Sequence, residues 1–256
     1  MLAIISLTNS CNYSCEYCIA TNPCSKFKTN KAKVCSKSGI TEIRGCILDM
    51  DFLLRYLNEF IPESSTIVLT GGEPMSSPYF TTLICILTQR YKVIIETNGS
   101  QLFKMPNDIA QIARYGIELH IAWHPKMILF DKFVANVKSF KNRCQGVIAK
   151  LINIVSINDE INCLREEFEV IENNGSKPEL GVKFWQDMIF IRPNGKVMEC
   201  PGACANQIGD VYQGTLNIME LKNYYLKCSL QGHVFCNTIL HVAGIAPTLR
   251  IKIKKE

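Results

Sequence analysis

The chain has 256 residues, of which 47% are hydrophobic and 20% are charged. This length and composition predict a soluble globular protein with one substantial core and a small appendage. No uncharged apolar run reaches the roughly eighteen residues that a membrane span needs, and the N-terminus lacks the features of a secretory signal. We therefore expect a cytoplasmic protein with no membrane partner.

The formal net charge is +5, with basic stretches at 26–37 and 250–255. Such stretches fit either solvated surface or the attraction of an anionic substrate or acidic peptide. No basic motif with interleaved aromatic residues accompanies them, so we expect no nucleic-acid partner. The 13 cysteines are an odd and high number, which favours metal ligation by reduced thiols over a disulfide framework.

In chain order, short β-rich runs alternate with helical patterns, which is typical of βα units around a parallel sheet. Candidate strands are 2–7, 66–70, 92–96, 117–123 and 147–155, with a sixth near 181–185. Candidate helices are 52–60, 80–89, 109–114, 130–140 and 158–173. The pattern predicts an α/β fold of about six βα units.

Two segments interrupt this alternation. Residues 20–46 are polar and lysine-rich and contain Cys24, Cys35 and Cys46. This segment is too long for an ordinary βα connection, so we interpret it as a loop that covers the functional site. Its three cysteines are metal ligands, a hydrogen-atom donor toward the substrate or incidental thiols. Near residue 187, two β-rich runs flank an Asn-Gly turn and predict a β-hairpin. We place a domain boundary there, giving domains 1–186 and 187–256.

Cys11, Cys15 and Cys18 form a Cys-x3-Cys-x2-Cys run directly after the first candidate strand. A [4Fe-4S] cluster has four irons, so a loop with three thiolates leaves one iron open to a substrate or cofactor. A zinc site is an alternative, but it needs a fourth ligand that this loop does not provide.

This cysteine run resembles the cluster loop of the radical S-adenosylmethionine (radical SAM) superfamily. The resemblance implies that the open iron binds the amino and carboxylate groups of SAM. An electron from the cluster then cleaves the sulfonium to give a 5'-deoxyadenosyl radical. Tyr17 occupies the aromatic position before the third cysteine, a neighbourhood that packs against the adenine in this family.

Two later motifs extend the resemblance. The family's GGEP motif is matched at the end of the second strand by Gly71, Gly72, Glu73 and Pro74. The glycines let the backbone approach a ligand closely, and Glu73 or adjacent carbonyls can accept hydrogen bonds from the SAM ammonium. The third strand is closed by a turn of Glu96, Thr97, Asn98 and Gly99. At this place, members of the family use polar residues to bind the ribose hydroxyls and the carboxylate of SAM. Asn98 is the preferred contact there.

The fourth strand ends in two histidines, His120 and His124, at alternate positions. Alternate residues of a strand share a face, so the pair would either both contact substrate or both pack against helices. The sequence leaves both interpretations open.

The C-terminal segment contains four further cysteines, Cys200, Cys204, Cys228 and Cys236. Their spacing fits a zinc site or a second iron-sulfur cluster. The run from Ile191 to Cys200 resembles the opening of the SPASM or twitch extension of radical SAM enzymes, which implies an auxiliary [4Fe-4S] cluster. The chain lacks the dense later cysteines of a full SPASM domain.

The resemblance implies a partial (β/α)6 barrel, similar to a TIM barrel, with a small C-terminal SPASM/twitch-like module. We expect an enzyme that abstracts a hydrogen atom from its substrate and modifies a ribosomally made peptide, with a reductant such as flavodoxin or ferredoxin. Alternatives are a small-molecule dehydrogenase with a twitch cluster and a 7-carboxy-7-deazaguanine synthase-like enzyme. The non-enzyme alternative is a zinc-stabilised binding module.

Overall fold

The computed structural model describes residues 1–15, 33–35, 46–153, 164–172, 188–199 and 206–217. The strands in this part of the chain are β1 (Leu2–Ser6), β2 (Lys33–Cys35), β3 (Cys46–Leu48), β4 (Thr66–Thr70), β5 (Lys92–Thr97), β6 (Ile117–Trp123), β7 (Ile148–Asn153), β8 (Glu169–Glu172), β9 (Met188–Ile191), β10 (Lys196–Met198), β11 (Gln207–Asp210) and β12 (Thr215–Leu216). The α-helices are α1 (Met50–Phe60), α2 (Phe80–Leu87), α3 (Ile109–Ile112) and α4 (Phe130–Arg143).

The main sheet has the strand order β12-β11-β10-β9-β1-β4-β5-β6-β7-β8. Seven neighbouring strands of this sheet are parallel to one another, in the order β9, β1, β4, β5, β6, β7 and β8. Beyond β9, the strands β10, β11 and β12 pair antiparallel. Short strands β2 and β3 form a separate parallel pair. The predicted α/β fold with a parallel sheet is therefore confirmed.

The strands predicted at 2–7, 66–70, 92–96 and 117–123 are present, with each end within one residue of its predicted position. The predicted hairpin is also present, because β9 and β10 pair antiparallel across the turn at 192–195. Strand β9 also pairs parallel with β1. The hairpin thus extends the main sheet, and the domain boundary near residue 186 stays a prediction.

The helix predicted at 158–173 is wrong where the structure describes this segment. Residues 164–167 form turns, and Glu169–Glu172 is strand β8, which pairs with β7. The β-branched Val170 and Ile171 fit a strand, and pairing with β7 provides hydrogen bonds that the sequence pattern alone does not reveal. The sixth strand predicted near 181–185 lies outside the described residues.

The segment predicted as a long loop contains a strand, β2, and leads into β3. Cys46 in β3 is 1% exposed and disulfide-bonded, so in this structure it is neither a metal ligand, nor a hydrogen-atom donor, nor a free thiol. Cys144 is buried, and Cys85 packs against the core, as their apolar surroundings predict. Cys24 and Cys163 lie outside the described residues.

The two faces of the parallel sheet differ in character. One face packs against the helices and contributes Ile5, Leu69, Ile95 and Leu119, each 0% exposed, to the main hydrophobic core. Because side chains alternate along a strand, the intervening residues lie on the opposite face. That second face carries Glu96, Glu118, His120 and Lys150 beside the buried apolar residues Ile4, Val68 and Ile94.

Among the described residues, no helix has both the length and the apolar character needed to cross a membrane.

Candidate functional site

Residues 8–15, here called the cysteine loop, leave the end of β1 and run directly against the GGEP segment that leaves β4. The amide of Gly72 donates a hydrogen bond of 2.7 Å to the carbonyl of Thr8. The amide of Glu73 donates one of 2.8 Å to the carbonyl of Ser10. Two backbone hydrogen bonds therefore fix the cysteine loop to the end of the neighbouring strand.

The two glycines of the GGEP segment permit this contact. A Cβ atom on Gly71 would lie 2.3 Å from the carbonyl oxygen of Thr8, and one on Gly72 would lie 2.2 Å from that of Ser10. Gly71 also has a φ of +143°, which side-chain-bearing residues rarely adopt. The sequence predicts close approach of a ligand here, but in the structure the glycines allow close approach of the cysteine loop.

Glu73 is completely buried and joins the ends of β4 and β5. Its carboxylate accepts hydrogen bonds from the amide of Met75 at 3.1 Å, the hydroxyl of Thr97 at 2.9 Å and the amide of Asn98 at 2.9 Å. Burial raises the pKa of Glu73, against these hydrogen bonds, which favour the charged form. The carboxylate therefore supports the Thr97-Asn98 turn from inside the protein.

Asn98 connects that turn back to the cysteine loop. Its side-chain oxygen accepts hydrogen bonds from the amide and the hydroxyl of Ser100, which orients its Nδ2 toward the loop. Nδ2 donates to the side-chain oxygen of Asn12 at 3.0 Å and lies 3.8 Å from the Sγ of Cys11. The side chain of Asn12 in turn donates to Ser100 at 2.8 Å. The turn after β5 thus places one side-chain amide beside a predicted cluster ligand.

The second described cysteine of the loop lies against the end of β6. The Sγ of Cys15 is 3.3 Å from the Nδ1 of His124, and the ring of Tyr13 meets the same imidazole edge-on, with ring centroids 5.7 Å apart. Cys15 is buried, whereas Cys11 is exposed. Burial lowers the pKa of His124 to about 4, so its imidazole is neutral at neutral pH.

The other predicted histidine has a different environment. The Nε2 of His120 lies 2.8 Å from a carboxylate oxygen of Glu118, which also binds the Nζ of Lys150 at 2.8 Å. The hydrogen bond with His120 is the main influence that lowers the pKa of Glu118 to about 2, and Lys150 lowers it further. His120 therefore belongs to an ion-paired network on the second face of the sheet, and His124 belongs to the cysteine loop.

Strand register extends this network into a polar row across the second face. Register pairs Ser6 with Thr70, Glu96 with His120, His120 with Lys150, and Lys150 with Glu169. The polar row consists of Ser6, Thr70, Glu96, His120, Lys150 and Glu169. It starts at or next to the carboxyl ends of β1, β4 and β5, the edge from which the cysteine loop and the GGEP segment leave, and continues through the middle of β6 and β7 to the first residue of β8.

Glu96 is the member of the polar row with spare hydrogen-bonding capacity. Among the described residues, its Oε1 is buried and has no hydrogen-bond partner. Burial raises the pKa of Glu96 to about 7, although the charge of His120 and a hydrogen bond from Thr70 act in the opposite direction. A carboxyl group that exchanges its proton near neutral pH therefore lies beside the turn that approaches the cysteine loop.

Comparison with known proteins identifies this arrangement. The family model of the radical SAM superfamily matches residues 5–172, which include the cysteine loop, the GGEP segment and the polar row from Ser6 to Glu169. The chain belongs to the radical SAM superfamily. It is therefore an enzyme of the class that binds a [4Fe-4S] cluster together with SAM.

Curated relatives of this radical SAM enzyme include GTP 3',8-cyclases from two Helicobacter pylori strains. The protein of strain 26695 is 24% identical over 172 residues, which cover 61% of this chain and 48% of the relative. That of strain HPAG1 is 24% identical over 149 residues, covering 56% and 40%. The chain thus spans about half the length of the curated relatives it matches.

A solved structure, "Native anSMEcpe with bound AdoMet and Cp18Cys peptide", has a similar fold, with a TM-score of 0.51. The two chains share 10% sequence identity, and the similarity covers 97% of each. At this identity, the likeness shows the fold alone.

The residues of this radical SAM chain fit the cofactor that its family implies. Cys11 and Cys15 carry thiols at the strand-end edge, and thiolates are the usual ligands of iron-sulfur clusters. Side-chain nitrogen atoms of Asn98 and His124 lie 3.8 and 3.3 Å from their sulfur atoms. The other predicted cluster ligands and the predicted adenine contact lie outside the described residues, so their roles stay predictions. These residues are Tyr17, Cys18, Cys200, Cys204, Cys228 and Cys236.

The sequence did not reveal every residue that shapes the site. Asn12 and Ser100 form the hydrogen bonds that hold Asn98 in place. Lys150 and Glu118 complete the environment of His120. A signal for Ser100 was present, since an Asn-Gly-Ser sequence favours a turn stabilised by the asparagine side chain. Glu118 lies two residues before His120 on the same strand, so alternation alone places it on the same face. Lys150 could not be found in this way, because register between β6 and β7 brings it to His120.

We predict that Gly72→Ala disrupts the cluster site. The added methyl group would overlap the Ser10 carbonyl, and overpacking of this kind costs about 1–3 kcal/mol or displaces the backbone. Iron content after anaerobic reconstitution should fall well below that of wild type. The control is Gly214→Ala, which adds backbone strain at a φ of +64° but no overlap, since a Cβ there meets no atom within 4 Å. Its iron content should match wild type. Equal iron content in the two variants would contradict the role assigned to Gly72.

We also predict that Glu96 makes stability depend on pH. Its pKa is about 7 in the folded protein and about 4.3 in an unfolded chain. The stabilisation that Glu96 gives to the folded protein is complete below the pKa of the unfolded chain. It is lost as the pH rises through the pKa of the folded protein. From about pH 4 to about pH 7, the free energy of unfolding of wild type should therefore fall relative to that of Glu96→Gln, with little further change above about pH 8.

Glu59→Gln, at an exposed position of α1, is the control for this measurement, and it should follow the wild-type curve. A pH dependence in Glu96→Gln as steep as in wild type would show that another group is responsible.

Proposed function

We propose that Cys11, Cys15 and Cys18 hold a [4Fe-4S] cluster whose open iron binds SAM. Bound together, the cluster and SAM supply a 5'-deoxyadenosyl radical that abstracts a hydrogen atom from the substrate. The observation that carries this proposal is the contact between the cysteine loop and the GGEP segment, because it holds two of the three thiols beside the strand ends. Tyr17 would pack against the adenine.

The contacts within the site divide the predicted SAM residues into two groups. The side chains of Glu73 and Thr97 bond to each other, so we assign them the support of the Asn98 turn. The backbone of Gly71, Gly72, Glu73 and Pro74 would then provide the acceptors for the SAM ammonium. Glu96 has a buried oxygen with no partner among the described residues, which favours it as a direct contact of SAM or substrate.

We further propose that the parallel sheet curves into a partial (β/α)6 barrel with the polar row inside. Parallel sheets bind ligands at the carboxyl ends of their strands, where the polar row and the cysteine loop meet. Residues 187–256 would form the SPASM/twitch-like module, with Cys200, Cys204, Cys228 and Cys236 as ligands of an auxiliary [4Fe-4S] cluster. Support comes from β10, which ends at Met198, two residues before Cys200.

A ribosomally made peptide is our first candidate substrate. The structural neighbour that covers 97% of this chain contains a peptide together with AdoMet. The net charge of +5 also favours attraction of an acidic peptide. The reaction would be a crosslink, a thioether bond or an epimerisation. A reductant such as flavodoxin or ferredoxin would reduce the cluster in the cytoplasm.

A small molecule is the second candidate, and the polar row is the observation that favours it. One surface of the sheet offers charged and hydrogen-bonding groups from Glu96, Glu118, His120 and Lys150. A compact polar substrate needs several such groups close together. The curated relatives are GTP cyclases, so a purine nucleotide is the first small molecule to test. A small-molecule dehydrogenase and a 7-carboxy-7-deazaguanine synthase-like enzyme belong to this same alternative.

The cofactor proposal predicts two separable pools of iron, about eight irons per chain in total. Replacing Cys11, Cys15 and Cys18 with Ala should remove about four irons and all formation of 5'-deoxyadenosine. Replacing Cys200, Cys228 and Cys236 should remove the other pool and leave the SAM-dependent signal of the first. The measurements are iron analysis and chromatography of SAM products after anaerobic reduction.

These two sets of cysteine variants control for each other. Survival of SAM cleavage in the variant of the cysteine loop would contradict the site. Unchanged iron in the variant of the C-terminal cysteines would contradict the auxiliary cluster. Colourless protein that contains zinc and does not cleave SAM would support the zinc-stabilised binding module instead.

Substrate class can be tested by the rate at which SAM is consumed. A true substrate gives up a hydrogen atom to the 5'-deoxyadenosyl radical, which leaves a substrate radical and 5'-deoxyadenosine, so it should raise 5'-deoxyadenosine formation above the rate without substrate. We expect an acidic precursor peptide to do so and GTP to leave the rate unchanged. Stimulation by GTP alone, lost in Glu96→Gln, would instead establish the small-molecule candidate.

A further inference from the structure

The hydrogen bond between His124 and Cys15 has no role in the function described so far. His124 follows β6, and its Nδ1 lies 3.3 Å from the Sγ of Cys15. The chain turns immediately afterwards, since the carbonyl of His124 accepts hydrogen bonds from the amides of Met127 and Ile128. This turn and the edge-on contact with Tyr13 hold the imidazole against the cysteine loop.

The chemistry of the ligand fixes the direction of this hydrogen bond. A cysteine that binds iron does so as a thiolate, which accepts hydrogen bonds and has no proton to donate. The ring nitrogen that faces the sulfur must therefore carry the proton, so Nδ1–H donates to the Sγ of Cys15. The bond shares no atom with the ion-paired network of His120, whose Nε2 is directed to Glu118.

We propose that His124 is a positioning residue that sets the reduction potential of the SAM cluster through this hydrogen bond. This inference rests on the proposed cluster site and adds a role that is distinct from substrate contact. A donor to a ligating sulfur withdraws electron density from the cluster and stabilises its reduced, more negative state. The cluster potential is then higher with the hydrogen bond than without it, and reduction by the donor protein is easier.

Two substitutions at position 124 separate the hydrogen bond from the volume of the side chain. His124→Leu removes the donor, and His124→Asn keeps an N–H donor on the atom that corresponds to Nδ1. In reconstituted protein, we expect a redox titration followed by electron paramagnetic resonance to show a more negative midpoint potential in His124→Leu. His124→Asn should remain near wild type. Equal potentials in all three proteins would overturn the inference.

A measurement on wild type covers the case in which His124→Leu does not retain its cluster. Protein labelled with 15N at histidine should show a weak nitrogen coupling in the pulsed spectrum of the reduced cluster before SAM is added. His124→Asn should lose this coupling, and His120→Asn, on the same strand but bonded to Glu118, should keep it. Absence of the coupling in wild type would overturn the role of His124 while leaving the cluster assignment intact. Absence of any iron-sulfur signal would overturn both.

Discussion

Direct backbone contact between the cysteine loop and the GGEP segment is the constraint on which the rest of the site depends. The contact requires residues without side chains, because a Cβ atom on either Gly71 or Gly72 would lie within 2.3 Å of a carbonyl oxygen of the loop. It joins the ends of β1 and β4, two neighbouring strands. The end of the sheet thereby positions the cysteine loop, which also bonds to Cys46 through the amide of Asn9 and to Asn98 through the side chain of Asn12.

From this contact, hydrogen bonds extend along the edge of the sheet. Glu73 joins the end of β4 to the turn after β5, and Asn98 in that turn approaches Cys11. At the end of β6, His124 meets Cys15. Four neighbouring strands thus contribute to one site, so a change in any of these turns would alter the environment of the predicted cluster.

The sequence predicts the parts of this structure that depend on local pattern. The strands at 66–70 and 117–123 are found at their predicted bounds, because runs of β-branched and apolar residues between turns specify strands locally. The GGEP and Glu-Thr-Asn-Gly motifs also lie at strand ends, as predicted. Strand β8 was predicted as helix, since its pairing with β7 brings together residues distant in the chain.

Other differences at the site have the same physical origin. The alternation of His120 and His124 predicts a shared role, but the strand ends between them, and the two imidazoles have different partners. The polar row depends on register between strands, which single-strand periodicity does not specify. The hydrogen bonds to Glu73 likewise come from two turns that only the folded sheet places together.

Electron paramagnetic resonance of the reduced protein would show whether the three cysteines leave one iron open for SAM. A variant that lacks the C-terminal cysteines would isolate the signal of the cluster bound by the cysteine loop. We expect that adding SAM changes the g-values of this signal, since the amino and carboxylate groups of SAM would bind the open iron. A reduced cluster whose spectrum is the same with and without SAM would contradict an open iron.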